Sequence, residues 1–433
     1  MTPAARASLI HLTIEHASGE QTSERGAMPS SRAPAPAAVR RPEFAAWTKL
    51  GNDITQQFLS FGTRPGLIAL SGGLPAPDLY PVADVQEAAR HALERYGSAV
   101  LGYGTVEGLL KLREAVASRL STDRLSLGPE NVLITTGSLQ AVELIGKALI
   151  DAGDVILAEY PTYLGALDAW LPRQPRYSEL PHDGAWPEAK FAYVVANFSN
   201  PTGAVLTEGA RTALLARSAE SGVWLVEDDP YGELRYQGAV QRSMLEMSAE
   251  PGAATYDGLV VHLGTLSKTI APGLRVGWAV GAPEMIRALA RAKQGSDLST
   301  STLCQGVALE LIRSDADRRH VPALVKAYRD RRDALCAAAR EHLADLFEWT
   351  VPEGGMFVWM TARQQGLDTN ALLPIALKEG VSFVPGSVFD PGGKVSPSLR
   401  LNFTANPPEV LQEGVRRLSR AVRDFVSHRS AAE

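Results

Sequence analysis

Residues 259–280, LVVHLGTLSKTIAPGLRVGWAV, hold two apolar runs, 259–263 and 276–280, on either side of a turn rich in glycine and hydroxyl residues that carries Lys268 and Arg275. Short continuous apolar runs bounded by Gly and Pro read as strands buried on both faces, the kind found in parallel sheets. Working outward, similar runs occur at 132–135, 155–158, 191–196 and 223–226. Between them, 139–150 and 208–221 repeat apolar residues at helical spacing, and upstream 82–96 and 109–120 do the same, with Gly97 placed to cap the first. Buried strands alternating with helices predict an α/β domain with a mainly parallel sheet.

Beyond about residue 300 the pattern changes. Helical segments at 302–313, 320–343, 369–378 and 408–426 bracket short strands at 356–360, 381–384 and 399–403, which predicts a smaller α+β domain. Residues 17–40, rich in Ala, Pro, Ser and Gly, lack the apolar content to order themselves. The expected organisation is a flexible leader over 1–40 and an N-terminal arm over 41–80 contributing to the small domain and the active site. A large domain over 81–300 and a C-terminal small domain over 301–433 follow.

Hydrophobic residues at 45% and charged residues at 21% describe an ordinary globular chain. A formal net charge of -5 supplies no broad basic field, so neither nucleic acid nor a membrane surface is an expected partner. No apolar run approaches the ~18 residues of a membrane span. Cys304 and Cys336 make no disulfide framework, His and Cys show no metal-ligand spacing, and a reducing cytoplasm is the simplest compartment.

In an open α/β sheet, ligands bind at the carboxyl ends of the strands, so the residues that follow each apolar run are read together. After 132–135 comes Thr136-Gly137-Ser138-Leu139-Gln140, a turn opening a helix, whose free N–H groups and hydroxyl suit a phosphate. After 191–196 comes NFSNPTG, in which Asn200 is placed to donate to a phenolate-like oxygen. The run 223–226 leads into Glu227-Asp228-Asp229-Pro230-Tyr231, where adjacent carboxylates at a buried strand end call for a cation such as a protonated pyridine nitrogen. Lys268 is placed to form a Schiff base, with Arg275 seven positions on. A ring carrying an aldehyde, a phosphate, a phenolic oxygen and a basic nitrogen satisfies all of these groups, and that ring is pyridoxal 5′-phosphate. A nicotinamide site would need a Gly-x-Gly-x-x-Gly turn at the first strand–helix junction, where none occurs.

The chain resembles the fold type I, class I/II pyridoxal-phosphate aminotransferases, and within them the 2-aminoadipate and kynurenine-type branch. The resemblance rests on LSGGLPAPDLYP, YGTVEGLLKLR, TTGSLQA, EYPTYLGAL, NFSNPTG, EDDPYGELRY, GTLSKTIAPGLRVGW, KQGSDLST, PEGGMFVWM and SLRLNF, spread in order over about residues 45–427. It implies that Lys268 anchors the cofactor covalently and takes the substrate Cα proton, that Asp228 pairs with the ring nitrogen, and that Asn200 and Tyr231 contact the phenolic oxygen. Tyr163 would stack on the ring. Ser138, the Leu139 N–H, Gln140, Thr265, Ser267 and Arg275 would hold the phosphate, with Tyr103 entering from the partner of a homodimer. Arg400 would clamp the substrate α-carboxylate, helped by backbone N–H near Gly73.

The implied reaction is ping-pong transfer of an amino group from an L-amino acid to a 2-oxo acid. Branch members acting on acidic donors carry an arginine where this chain has Gln56, near Asp53, so a neutral or aromatic donor is expected. Two other readings stand beside it: a specialised lyase or oxidative enzyme on the same site, and a ligand-sensing regulator. The regulator is disfavoured because the residues ahead of Arg41 show no helix-turn-helix pattern.

Overall fold

A computed structural model describes residues 41–430 apart from 51–53, 182–183, 365 and 394–396. The expectations placed on the 1–40 leader and on Asp53 fall outside the described residues.

The central sheet has seven strands in the order β2-β8-β7-β6-β5-β3-β4. They are β2 (Val132–Thr135), β3 (Val155–Ala158), β4 (Arg176–Glu179), β5 (Phe191–Val194), β6 (Trp224–Asp228), β7 (Val260–Thr265) and β8 (Gly277–Val280), with β1 (Ile68–Ala69) preceding them in the chain and outside this sheet. The pairs β3–β4, β3–β5, β5–β6 and β6–β7 are parallel. Only β8 runs against its neighbours β2 and β7. The cause is covalent: residues 266–276 are too short a link to hold a crossover helix, so the chain returns antiparallel.

β4 is absent from the sequence-based reading because its residues, Arg-Tyr-Ser-Glu, are polar. It lies at the sheet edge, where its two outer residues are exposed.

Alternate residues of each inner strand enter opposite layers. Leu133, Tyr193, Val226, Leu263 and Ala279 join one apolar cluster with the helices Ser138–Leu149 and Pro283–Gln294. Val132, Ile134, Ala192, Val194, Leu225, Val260 and Val280 join a second with the helices Leu110–Leu120, Glu208–Ser221 and Thr302–Arg313. Burial on both faces is what the continuous apolar runs anticipate.

The C-terminal unit is a four-stranded antiparallel sheet, β12-β13-β10-β9, formed by β9 (Phe347–Trp349), β10 (Phe357–Ala362), β12 (Val384–Pro385) and β13 (Ser398–Asn402). Here β1 from the N-terminal arm pairs with β11 (Val381–Ser382). Leu70 continues that link, donating its N–H to Ser382 O and accepting from Asn402 N. The arm therefore runs alongside β13, which carries Arg400.

Candidate active site

The carboxyl ends of β2, β5, β6 and β7 meet at one edge of the sheet. Thr135 and Thr265 flank Gly277 in one row across β2, β8 and β7. A Cβ on Gly277 would sit 2.7 Å from Ser138 N, so only glycine lets β8 approach the turn that opens the helix Ser138–Leu149. Gly137, at φ 77°, caps that helix, and a Cβ there would lie 2.5 Å from Arg275 Nη2. The Arg275 guanidinium thus rests on the turn, donating to Thr136 O at 3.1 Å.

Thr265 Oγ1 and Ser267 Oγ stand 2.9 Å apart beside it. Unpaired N–H groups of a first helical turn, two hydroxyls and a guanidinium form a cradle for a dianion. The structure brings Ser138, Leu139, Thr265, Ser267 and Arg275 together there.

Gln140, on the same helical turn, has a set of protein partners of its own. Its side-chain amide donates to Asp297 at 2.7 Å and accepts from Thr136 N at 2.8 Å and from the fully buried Lys293 at 3.2 Å. These bonds brace the turn and engage the amide oxygen and one of the two amide N–H groups.

The acidic triplet resolves into three separate environments. Fully buried Glu227 accepts from His262 Nδ1 at 3.0 Å, from Met244 N at 2.9 Å and from Arg211 Nη1 at 3.5 Å. Burial pushes its carboxyl up, but His262, the Met244 N–H and the Arg211 charge outweigh this and hold it below the ordinary range. Asp229 accepts from Asn197 Nδ2 at 2.9 Å.

Asp228 closes β6, with Oδ2 accepting from Tyr193 Oη at 2.7 Å while its buried Oδ1 has no protein partner. Burial raises its carboxyl to about 6, against the lowering effect of Tyr193. Within the triplet the protein compensates Glu227 itself, while Asp228 Oδ1 and Asp229 Oδ1 are both buried without a hydrogen-bond partner among the described residues.

On the opposite wall, buried Arg400 donates from Nη1 to Asn200 Oδ1 at 2.6 Å and from Nη2 to Ser71 O at 2.8 Å. The Phe357 and Phe389 rings flank it, with centroids 4.2 and 4.9 Å from Cζ. Burial lowers its pKa to about 10. Tyr231 hydrogen-bonds Asn200, and burial raises its phenol well above the ordinary value.

Lys268 Nζ donates to Gly73 O at 2.9 Å. Burial, with the charges of Arg400 and Arg275, lowers this amine to about 8 against the opposing pull of Asp228. Gly73 thus offers its carbonyl to Lys268, and the arm also reaches Arg400 through the Ser71 carbonyl. Tyr163 is half-buried at the same edge, its phenol raised to about 12 by burial and by the Asp228 charge.

Two expected residues are not gathered by the single chain. Tyr103 is 91% exposed. Gln56 is exposed on the helix Ile54–Phe61. Conversely, Tyr193, Arg211, His262, Ser71, Phe357 and Phe389 belong to the site and went unread in the sequence. Arg211, four residues into a helix, carried no local sign of burial, and Tyr193 counted only as one apolar strand residue.

The donor set fits pyridoxal 5′-phosphate on the structure's own terms: a buried carboxylate oxygen without a partner, an anion cradle, and a lysine amine of lowered basicity between them.

The family model for aminotransferase class I and II matches residues 67–170 and 185–418. The chain is 36% identical over 387 residues to aromatic-amino-acid aminotransferase 1 of Thermococcus litoralis, covering 85% of this chain and 91% of that protein. It is 38% identical over 384 residues to the 2-aminoadipate transaminase of Thermus thermophilus, covering 86% and 94%. Among solved structures, the Pyrococcus horikoshii kynurenine aminotransferase complexed with PMP superposes with a TM-score of 0.80 at 35% identity, over 87% of this chain and 95% of that one.

Proposed function

This chain belongs to the class I and II aminotransferase family and is a pyridoxal-phosphate-dependent aminotransferase, and from that premise we propose how its own residues divide the work. Lys268 holds the cofactor covalently, Asp228 Oδ1 faces the ring nitrogen, and Asn200 and Tyr231 face the phenolic oxygen. Tyr163 covers the ring. The phosphate lies against Ser138, the Leu139 N–H, Thr265, Ser267 and Arg275. When bound, the cofactor supplies an electrophilic carbon for the amino group and an electron-withdrawing ring that stabilises negative charge at the substrate Cα.

The observation that carries this reading is the proximity of two cations with different tasks. Arg400, held by Asn200 and Ser71, keeps further N–H donors for a bidentate grip on the substrate α-carboxylate. Fixing that carboxylate fixes which bond at Cα is broken. Lys268, with its amine lowered to about 8, is neutral in roughly a tenth of molecules at pH 7, far more than an ordinary lysine, and takes the Cα proton as a general base. Amino group and 2-oxo acid then exchange in two half-reactions, the second reversing the first with a different oxo acid.

For the donor we propose a neutral or aromatic L-amino acid. Gln56 brings no cation to meet a side-chain carboxylate, and the relative in Thermococcus litoralis is named for aromatic amino acids. We place the enzyme in the cytoplasm as a homodimer, with Tyr103 completing the site of the other subunit. Exposure of Tyr103 and of Leu101 two residues before it supports that surface as the interface, and the free thiols Cys304 and Cys336 support a reducing compartment. Among the described residues, no helix is long and apolar enough to cross a membrane.

The test is a panel of aromatic, aliphatic, basic and acidic amino donors against 2-oxoglutarate and pyruvate, with both oxo-acid product and consumed acceptor measured. Stoichiometric exchange favouring aromatic donors is expected. A strong preference for 2-aminoadipate would refute the Gln56 argument, and ammonia or carbon dioxide release without an acceptor would refute transamination.

A further inference from the structure

Tyr193 stands apart from the expected cofactor contacts, yet its phenol makes the one side-chain hydrogen bond to Asp228 found among the described residues. Its position follows from register. β5 and β6 are parallel with Tyr193 opposite Val226, so Asp228, two residues further along, points to the same face. From that diagonal position the long aromatic side chain reaches the carboxylate with its terminal hydroxyl at 2.7 Å.

The ring itself is fixed. Trp170 packs edge-on against it with centroids 5.2 Å apart and planes at 86°, and also against Phe191 at 5.1 Å. Trp170 is held in turn by its Nε1–H donating to Val142 O at 2.8 Å, and it lies so close to the helix Ser138–Leu149 that a Cβ on Gly146 would sit 2.2 Å from Cδ1. Tyr193 and Trp170 are both fully buried. The phenol therefore meets Asp228 with little rotational freedom and away from bulk solvent.

Other groups facing the carboxylate are Lys268, Asp229 and His262, which act on it through charge alone. Of these, His262 is turned to Glu227 and Asp229 to Asn197.

We propose that Tyr193 is the positioning residue of the Asp228–cofactor pair: by donating to Oδ2 it keeps the carboxylate ionised and turns Oδ1 toward the ring nitrogen, so that the ring keeps its proton. This rests on the reading that Asp228 faces that nitrogen. A carboxylate that accepts one strong hydrogen bond is a weaker base, and the proton shared between Asp228 and the ring then stays on the ring. Removing the hydroxyl while keeping the ring leaves packing intact and shifts that proton toward Asp228. The loss of positive charge at the ring nitrogen makes the nearby Lys268-linked nitrogen easier to protonate.

The experiment compares wild-type holoenzyme with Tyr193→Phe and Asp228→Asn. It measures cofactor dissociation, the pH midpoint of the bound cofactor's visible band, and steady-state constants. Hydrogen bonds to charged groups lead us to expect in Tyr193→Phe roughly tenfold weaker cofactor retention, a kcat lower by a similar factor at nearly unchanged donor KM, and an upward move of the band midpoint by about one pH unit. Reconstitution with a cofactor analogue carrying carbon in place of the ring nitrogen should abolish the difference in retention between wild type and Tyr193→Phe.

If Asp228→Asn weakens retention but Tyr193→Phe matches wild type in retention and band midpoint, the positioning role is wrong while the Asp228 reading survives. If Asp228→Asn itself retains cofactor as wild type does, the Asp228 reading fails. If the analogue leaves the Tyr193→Phe defect in place, Tyr193 acts through packing and the proposal is overturned.

Discussion

Replacing Arg400 with lysine tests the proposed division of labour between the two cations. The guanidinium spends one N–H on Asn200 Oδ1 and one on Ser71 O and lies between the Phe357 and Phe389 rings, so its plane is set before substrate arrives. A planar fork in a fixed plane offers two parallel hydrogen bonds to a carboxylate. A lysine ammonium keeps the charge but is a point donor, so at least one charge-assisted hydrogen bond to substrate is lost, at about 1.5–3 kcal/mol. Either Asn200 Oδ1 or Ser71 O also loses its donor.

A total near 3 kcal/mol corresponds to a fall in kcat/KM on the order of 100-fold. The assay measures kcat/KM for an L-amino acid and for a primary amine lacking the α-carboxylate, together with cofactor affinity. The expected pattern is a large loss for the amino acid, little for the amine, and cofactor affinity within about threefold of wild type. Equal losses for both donors, or an amino-acid loss below about threefold, would show that Arg400 does not hold the carboxylate.

Uptake of pyridoxal phosphate by the apoprotein should quicken as pH rises through about 8 and level off above it, because the Lys268 amine is protonated and unreactive below that value. A profile centred near the ordinary lysine value would contradict the lowered basicity. Arg211→Met should cost about 3–5 kcal/mol in chemical unfolding, because it leaves fully buried Glu227 without its arginine; adding Glu227→Gln should recover part of the loss. Since Glu227 is held below its ordinary pKa, the stability it contributes is present above the ordinary carboxylate range and lost as pH falls through the folded value, so Glu227→Gln alone should flatten the acid side of the stability profile. Mixing inactive Lys268→Ala with Tyr103→Ala subunits should restore about a quarter of wild-type site density, since a mixed dimer carries one intact site; no recovery after subunit exchange would argue against a shared site.

What the sequence determined by itself is what short-range physics encodes. Strands buried on both faces must be continuously apolar, so β2, β3, β5, β6 and β7 could be read from their runs, and the groups that follow such runs fall at one edge of a parallel sheet. The acidic turn after β6 and Lys268 after β7 were legible because charges at the end of a buried strand call for compensation, whereas the separate roles of Asp228 and Arg400 came from the family resemblance of their motifs.

Partnership across the chain was decided only by the tertiary structure, because register and strand order depend on the whole sheet. Nothing local to Tyr193 shows that it meets Asp228, 35 positions away, and nothing near Gln140 shows that its amide meets Asp297, 157 positions on. The turn in which Glu227, Asp228 and Asp229 stand looked like one acidic cluster. Only the folded chain, by bringing Arg211 and His262 to the first, Tyr193 to the second and Asn197 to the third, gives each carboxylate a different environment.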